Sequence, residues 1–123
     1  MNIREKVFAA LMSSRRLTEP LAKDKRRQCL YHIRSPNAGS YPILVYSVTA
    51  DVPALVADGV ELERRVTMRI SILTKDGVFE PMYQEILRIM LSLGFMRVQT
   101  IEETKDDVFI KSVDFRIGIG TEE

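Results

Sequence analysis

Residues 61–75, Glu61-Leu62-Glu63-Arg64-Arg65-Val66-Thr67-Met68-Arg69-Ile70-Ser71-Ile72-Leu73-Thr74-Lys75, decide the fold. Leu62, Val66, Met68, Ile70 and Ile72 alternate with Glu63, Arg65, Thr67, Arg69 and Ser71, and a period of two is that of a strand with one buried face. Arg64 interrupts the apolar series near its start, where a long strand runs out past its sheet, so the core is expected to begin at Val66. Asp76-Gly77 then supplies a turn, Pro81 suits the first turn of a helix, and apolar residues recur at helical spacing from Met82 to Leu93. A long strand feeding an amphipathic helix is therefore the expected nucleus of the domain.

On the C-terminal side, Phe79 to Leu93 reads as a helix with Met82, Ile86, Ile89, Met90 and Leu93 inward and Gln84, Glu85 and Arg88 in water, and Tyr83 at its amphipathic edge. Gly94 fits the position after the helix cap and Phe95 the apolar position that follows. Two strands close the chain, Phe95 to Ile101 and Val108 to Ile119, joined by a polar tip at 102–107 whose four carboxylates lack calcium-loop spacing. Val113, Phe115, Ile117 and Ile119 point one way along the last strand; Gly118, Gly120, Thr121 and the terminal glutamates suggest fraying.

On the N-terminal side, Pro42 to Ala50 is a strand with Ile43, Leu44, Val45, Tyr46 and Val48 apolar on both faces, as an interior strand requires. Gln28 to Arg34 is a shorter strand, and Ser35-Pro36-Asn37-Ala38-Gly39-Ser40 is turn chemistry that suggests a hairpin between the two. Asp51 to Gly59 breaks the pattern. Val52, Leu55 and Val56 are apolar, but Pro53 interrupts a ladder and Asp58-Gly59 is a turn, so a mobile apolar loop is expected at 51–59. It either folds back on its own core or packs on a partner through Val52, Pro53, Leu55 and Val56. The chain starts with a helix at about 2–13, capped by Asn2, with Ile3, Val7, Ala10 and Leu11 on one stripe. A second mobile loop is expected at 15–27, with Arg15, Arg16, Lys23, Lys25, Arg26 and Arg27 offset by Glu19 and Asp24, and Pro20 barring a long helix.

Composition fits a single domain over 1–123: 123 residues, 46% hydrophobic and 28% charged. There is no run of about 18 apolar residues, and Met1 to Met12 carries charges without a small-residue cleavage site, so a soluble protein made in the cytosol is expected, with no membrane partner. A single cysteine, Cys29, excludes an internal disulfide and a Cys-based zinc site, and its apolar neighbours suggest burial. The net charge of +1 hides a split, with 9 Lys/Arg against 3 Asp/Glu in 1–41 and 9 against 14 in 42–123. Such polarity decorates two faces of a monomer or offers complementary surfaces for head-to-tail assembly.

No catalytic residue, cofactor site or metal site is assigned from the sequence, and no enzyme is expected. The single His32 lies mid-strand beside apolar residues, and there is no phosphate-binding glycine loop, Gly-x-Ser-x-Gly or His-Glu-x-x-His; Gly118-Ile119-Gly120 is a glycine pair at a strand end. The basic segment could neutralise phosphates, but it carries no aromatic residue for base stacking.

Tyr41-Pro42-Ile43-Leu44-Val45-Tyr46, Asp51-Val52-Pro53-Ala54-Leu55-Val56-Ala57-Asp58 and Leu91-Ser92-Leu93-Gly94-Phe95-Met96-Arg97 carry a resemblance, extended over 41–117 by the order of elements. The chain resembles the tail-completion, or head-to-tail joining and tail-terminator, proteins of long-tailed double-stranded DNA phages and prophages. The resemblance implies a structural virion component of the neck or tail, made in the host bacterial cytoplasm. It would form a homo-oligomeric ring, commonly a hexamer, that caps the tail tube and meets the head connector; from the charge split, the isolated chain is expected to be monomeric when dilute. DNA would pass through its channel without sequence-specific binding. The loop Val52, Pro53, Leu55, Val56 is then the expected partner contact; the basic residues Arg15, Arg16, Lys25, Arg26 and Arg27 are a second expected subunit or partner contact, read from the charge split alone, since segment 15–27 has no counterpart in the family. The alternative is a small nucleic-acid-binding or adaptor domain using 15–27. The expected fold is α+β: one mostly antiparallel sheet of about five strands with two helices packed on one face, in the order α-β-β-β-α-β-β.

Overall fold

The computed structural model describes residues 2–24, 27, 28, 30–32 and 41–120. The Asn2 side chain caps α1 (Ile3–Met12) by accepting the Glu5 N–H at 2.9 Å, one of the donors a helix start leaves unused. Val7 and Leu11 on its inner stripe are fully buried, with Ile3 and Ala10 at the margin. Ser14 starts a second helix, α2 (Arg15–Thr18), accepting the Leu17 N–H. β1 (Lys23–Asp24) and β2 (Arg27–Gln28) then pair antiparallel. The segment 15–27, expected as a mobile loop, is thus a helical turn followed by a two-strand ribbon. Buried Leu17 and Leu21 tie it to the core, and that apolar pair outweighs the charges around it. Lys25, Arg26 and Cys29 lie outside the described residues, as do the turn at 35–40 and residues 121–123.

β3 (Leu30–His32) runs parallel to β4 (Ile43–Ala57), Leu30 opposite Leu44 and His32 opposite Tyr46, so the expected hairpin is not formed. A tight turn obliges antiparallel pairing; the connection from 33 to 42 is too long to impose it. The hairpin lies one step later. β4 pairs antiparallel with β5 (Val60–Thr74) from Ile43 opposite Leu73 to Ala57 opposite Val60, and the chain reverses at Asp58-Gly59 with φ of 52° and 75°. Two successive positive φ values define a type I′ turn, whose twist suits paired strands. Residues 51–59 are therefore not a loop but the far half of this hairpin and its turn. Pro53 does not end the ladder: it sits opposite Arg64, and register shifts follow at Pro53/Leu55 and Leu55/Val56. β3 stops opposite Tyr46, so the distal part of β4 is an edge among the described residues, where a missing N–H is tolerated.

α3 (Met82–Ser92) begins after Pro81, later than the expected Phe79, and buries Met82, Ile86, Ile89 and Met90. Gly94, at φ 97°, ends it: the Phe95 N–H donates to the Met90 carbonyl and the Gly94 N–H to the Leu91 carbonyl, both at 3.1 Å, the paired bonds of a Schellman motif. Phe95 then packs edge-on against Phe115, ring centroids 6.5 Å apart. β6 (Met96–Lys105) and β7 (Val108–Gly120) form the last hairpin, and β7 inserts between β6 and β5. Gly118, Ile119 and Gly120, expected to fray, stay in the ladder opposite Arg65, Arg64 and Glu63, because β5 extends far enough to pair them.

Among the described residues the result is α+β, an open antiparallel sheet of four long strands, β4-β5-β7-β6, with β3 added in parallel outside β4 and three helices rather than two. Leu44, Tyr46, Val66, Met68, Ile70, Ile72, Val113 and Phe115 share one core with the inner residues of the helices. That core begins at Val66, and everything from Val60 to Arg65 lies beyond it.

Candidate interaction surface

The hairpin beyond the core forms an arm. Val52, Leu55, Val56, Val60 and Leu62 are 45 to 59% exposed on it, although each is a residue type that ordinarily seeks a core. They stay out because the strands run about six residues past Arg64, or roughly 20 Å at ~3.3 Å per residue, beyond where the buried part of β5 begins at Val66. Between Asp51 and Glu63 the arm carries Asp51, Asp58, Glu61 and Glu63 and no Lys or Arg. Arg64 closes its base by an ion pair to Asp51 at 3.1 Å.

At the foot of the arm a groove of about 180 Å³ is lined by Ile3, Leu93, Ile117 and Ile119, with Asn2, Lys6 and Arg64 as its polar members. Three elements converge there: the start of α1, the end of α3 and the last turns of the β5–β7 ladder. A larger, shallow cleft of about 540 Å³ lies at the β6–β7 end, among Asp76, Phe79, Glu102, Glu103 and Phe109. Beside it the Lys111 ammonium stands 3.8 Å from the Tyr83 ring centroid and 3.3 Å from Glu102. The carboxylates of the tip, Glu102, Glu103, Asp106 and Asp107, are exposed. Among the described residues no group of three His, Cys, Asp or Glu is placed to hold a metal ion, and no helix is long and apolar enough to cross a membrane.

The structure brings Val52, Pro53, Leu55 and Val56 together on the arm and leaves all four exposed. It does not bring the basic set to them: Arg15 and Arg16 are exposed on α2, Arg27 belongs to β2, and Lys25 and Arg26 are outside the described residues.

Two polar clusters were not anticipated. Glu85, expected in water, is buried; it accepts the Ser14 hydroxyl and both Arg88 nitrogens, at 2.6 and 2.9 Å. Those bonds, Arg88 foremost and Ser14 next, lower its pKa to about 2 despite burial. The i,i+3 spacing of Glu85 and Arg88 was visible in the sequence, but Ser14 lies 71 positions away. On the face of the sheet away from the core, Arg69 donates two bonds to Asp114, at 2.8 and 3.1 Å, and Gln99 donates a third at 2.7 Å. The Arg69 bonds hold the Asp114 pKa below its ordinary value. Two rungs along, on the same face, the Ser71 and Ser112 hydroxyls meet at 2.8 Å.

No family model and no curated protein matches the chain. Among solved structures, one whose name states no function is 11% identical, with 98% of this chain and 97% of that chain covered and a TM-score of 0.47. A likeness of that degree carries no argument about function.

Proposed function

We propose that the chain is a structural joining protein of the phage tail-completion kind. Its copies close into a ring, six being the number the resemblance implies, at the head-proximal end of a tail tube, and the ring meets the head connector. The arm is the observation that supports this reading: Val52, Leu55, Val56, Val60 and Leu62 project from the core on a ladder that extends past it. By the register Val52, Leu55 and Val56 share one face of the arm with Glu61 and Glu63, and Val60 and Leu62 the other; exposed apolar side chains on a projecting element of this kind mark contacts with other proteins. In this reading the sheet has about five strands with its helices on one face, leaving the polar row of Arg69, Asp114 and Ser112 toward the channel or neighbouring copies. The role is one of assembly in the neck or tail of a virion, with no catalysis, cofactor or membrane, and DNA passes without sequence-specific contact. The nucleic-acid alternative rests on 15–27 and has no comparable observation behind it.

The test is joining in vitro. Heads and finished tails prepared without this protein are mixed with the purified chain and counted by electron microscopy. Joined particles with the wild type, and none with a Leu55→Ser, Val56→Ser variant of unchanged folding, are the expected result. Separate heads and tails with both proteins overturn the reading.

A further inference from the structure

We infer that the arm of one copy docks in the groove at the foot of the arm of a second copy, with Leu55 and Val56 seated against Ile3, Leu93, Ile117 and Ile119. The inference rests on the proposed ring and names the contact that builds it.

Three observations lead there. The first is charge. The far arm is acidic, and Asp58 and Glu61 have no ion-pair partner among the described residues, whereas the groove is edged by Lys6 and Arg64. Lys6 is likewise without an ion-pair partner there, so a tip that brings Glu61 or Asp58 to it satisfies both. The second is chemical match. The groove of about 180 Å³ is walled by four aliphatic side chains, which branched aliphatic residues would cover with release of the water against them. The third is reach. Arg64 belongs both to the groove and to the root of the arm, while the Asp58-Gly59 turn stands roughly 20 Å farther along a paired ladder. An arm cannot fold back into its own groove without breaking that ladder, so the occupant is another copy.

The two patches are different surfaces of one chain. Their contact is therefore head-to-tail, the kind that closes a ring when the rotation per copy divides a full turn. Each copy then offers acid on its arm, at Asp58 and Glu61, and base beside the groove, at Lys6.

Two experiments test it. A photoreactive benzoylphenylalanine replaces Leu55, and isotopically heavy and light chains are mixed, assembled and irradiated. Heavy-to-light crosslinks on peptides that contain Ile3 to Lys6 or Ile117 to Ile119 are expected. Crosslinks between copies that fall elsewhere overturn the docking site while the ring stands; no assembly at any concentration overturns both. In the second, Lys6→Glu should weaken self-assembly about tenfold per contact, and Glu61→Lys in the same chain should restore it. Lys6 is exposed, so the fold, checked by circular dichroism, is expected to be unchanged. Assembly indifferent to Lys6→Glu, or not recovered by the reversed pair, overturns the inference.

Discussion

Ile70 is fully buried at the middle of β5, opposite Tyr46 on one side and Val113 on the other, and it shares a core with Met68, Ile86, Ile89 and Phe115. Cutting it to Ala removes three carbons from a packed site, and a loss of about 2–5 kcal/mol is expected. An unchanged urea midpoint would contradict the strand phase. Glu85 supports a different prediction. Its carboxylate is held to about 2 in the folded protein against an ordinary 4.5, so the folded state prefers the ionised form. That contribution is fully present above 4.5 and is lost as pH falls from there toward 2. Glu85→Gln should therefore flatten the acid limb of the stability profile within that window, measured by urea unfolding across it; a limb of unchanged steepness would place the titration elsewhere. The core side of β5 was legible in the sequence because period two is a local signal. Glu85 was not, because its burial depends on Ser14 arriving from another helix.

Among the elements, the hairpin of β4 and β5 shows best why local reading stops short. Asp58-Gly59 forms the turn its residues predict, whereas Pro53, which on local grounds ends a ladder, does not end this one. The ladder continues past it because this part of β4 is an edge, a fact about neighbours and not about residues 51–59 themselves. The same limit explains β3, whose parallel direction is set by where the chain re-enters the sheet. Val52, Leu55 and Val56 stand out in the sequence as apolar side chains among turn-forming neighbours, but that mismatch alone leaves open whether they return to the core; their exposure comes from the ladder running past it. Because Leu55 and Val56 are about half exposed, replacing both by Ser should shift unfolding stability by no more than ~0.5 kcal/mol. A markedly lower denaturation midpoint would return the arm to the core and remove it from the interface. Gly59, at φ 75° with open space around it, offers a milder probe. Gly59→Val should loosen the turn, read as faster amide exchange at Val60, while exchange in the β5 segment from Val66 to Ile72 stays as slow as before.

For the whole molecule, the division into a basic portion before residue 42 and an acidic portion after it, 9 cations against 3 anions and then 9 against 14, is the ground for expecting the proposed assembly to depend on salt. The proposed ring and the exposed arm lead to one expectation: a chain that is monomeric when dilute and that closes with itself when concentrated or given a partner. Sedimentation velocity over a concentration series, at low and high salt, tests this most directly. The account predicts a slow boundary that gives way with concentration to one faster closed species, favoured by low salt and lost in the Leu55→Ser, Val56→Ser variant. A two-fold dimer indifferent to dilution, salt and both substitutions would contradict it.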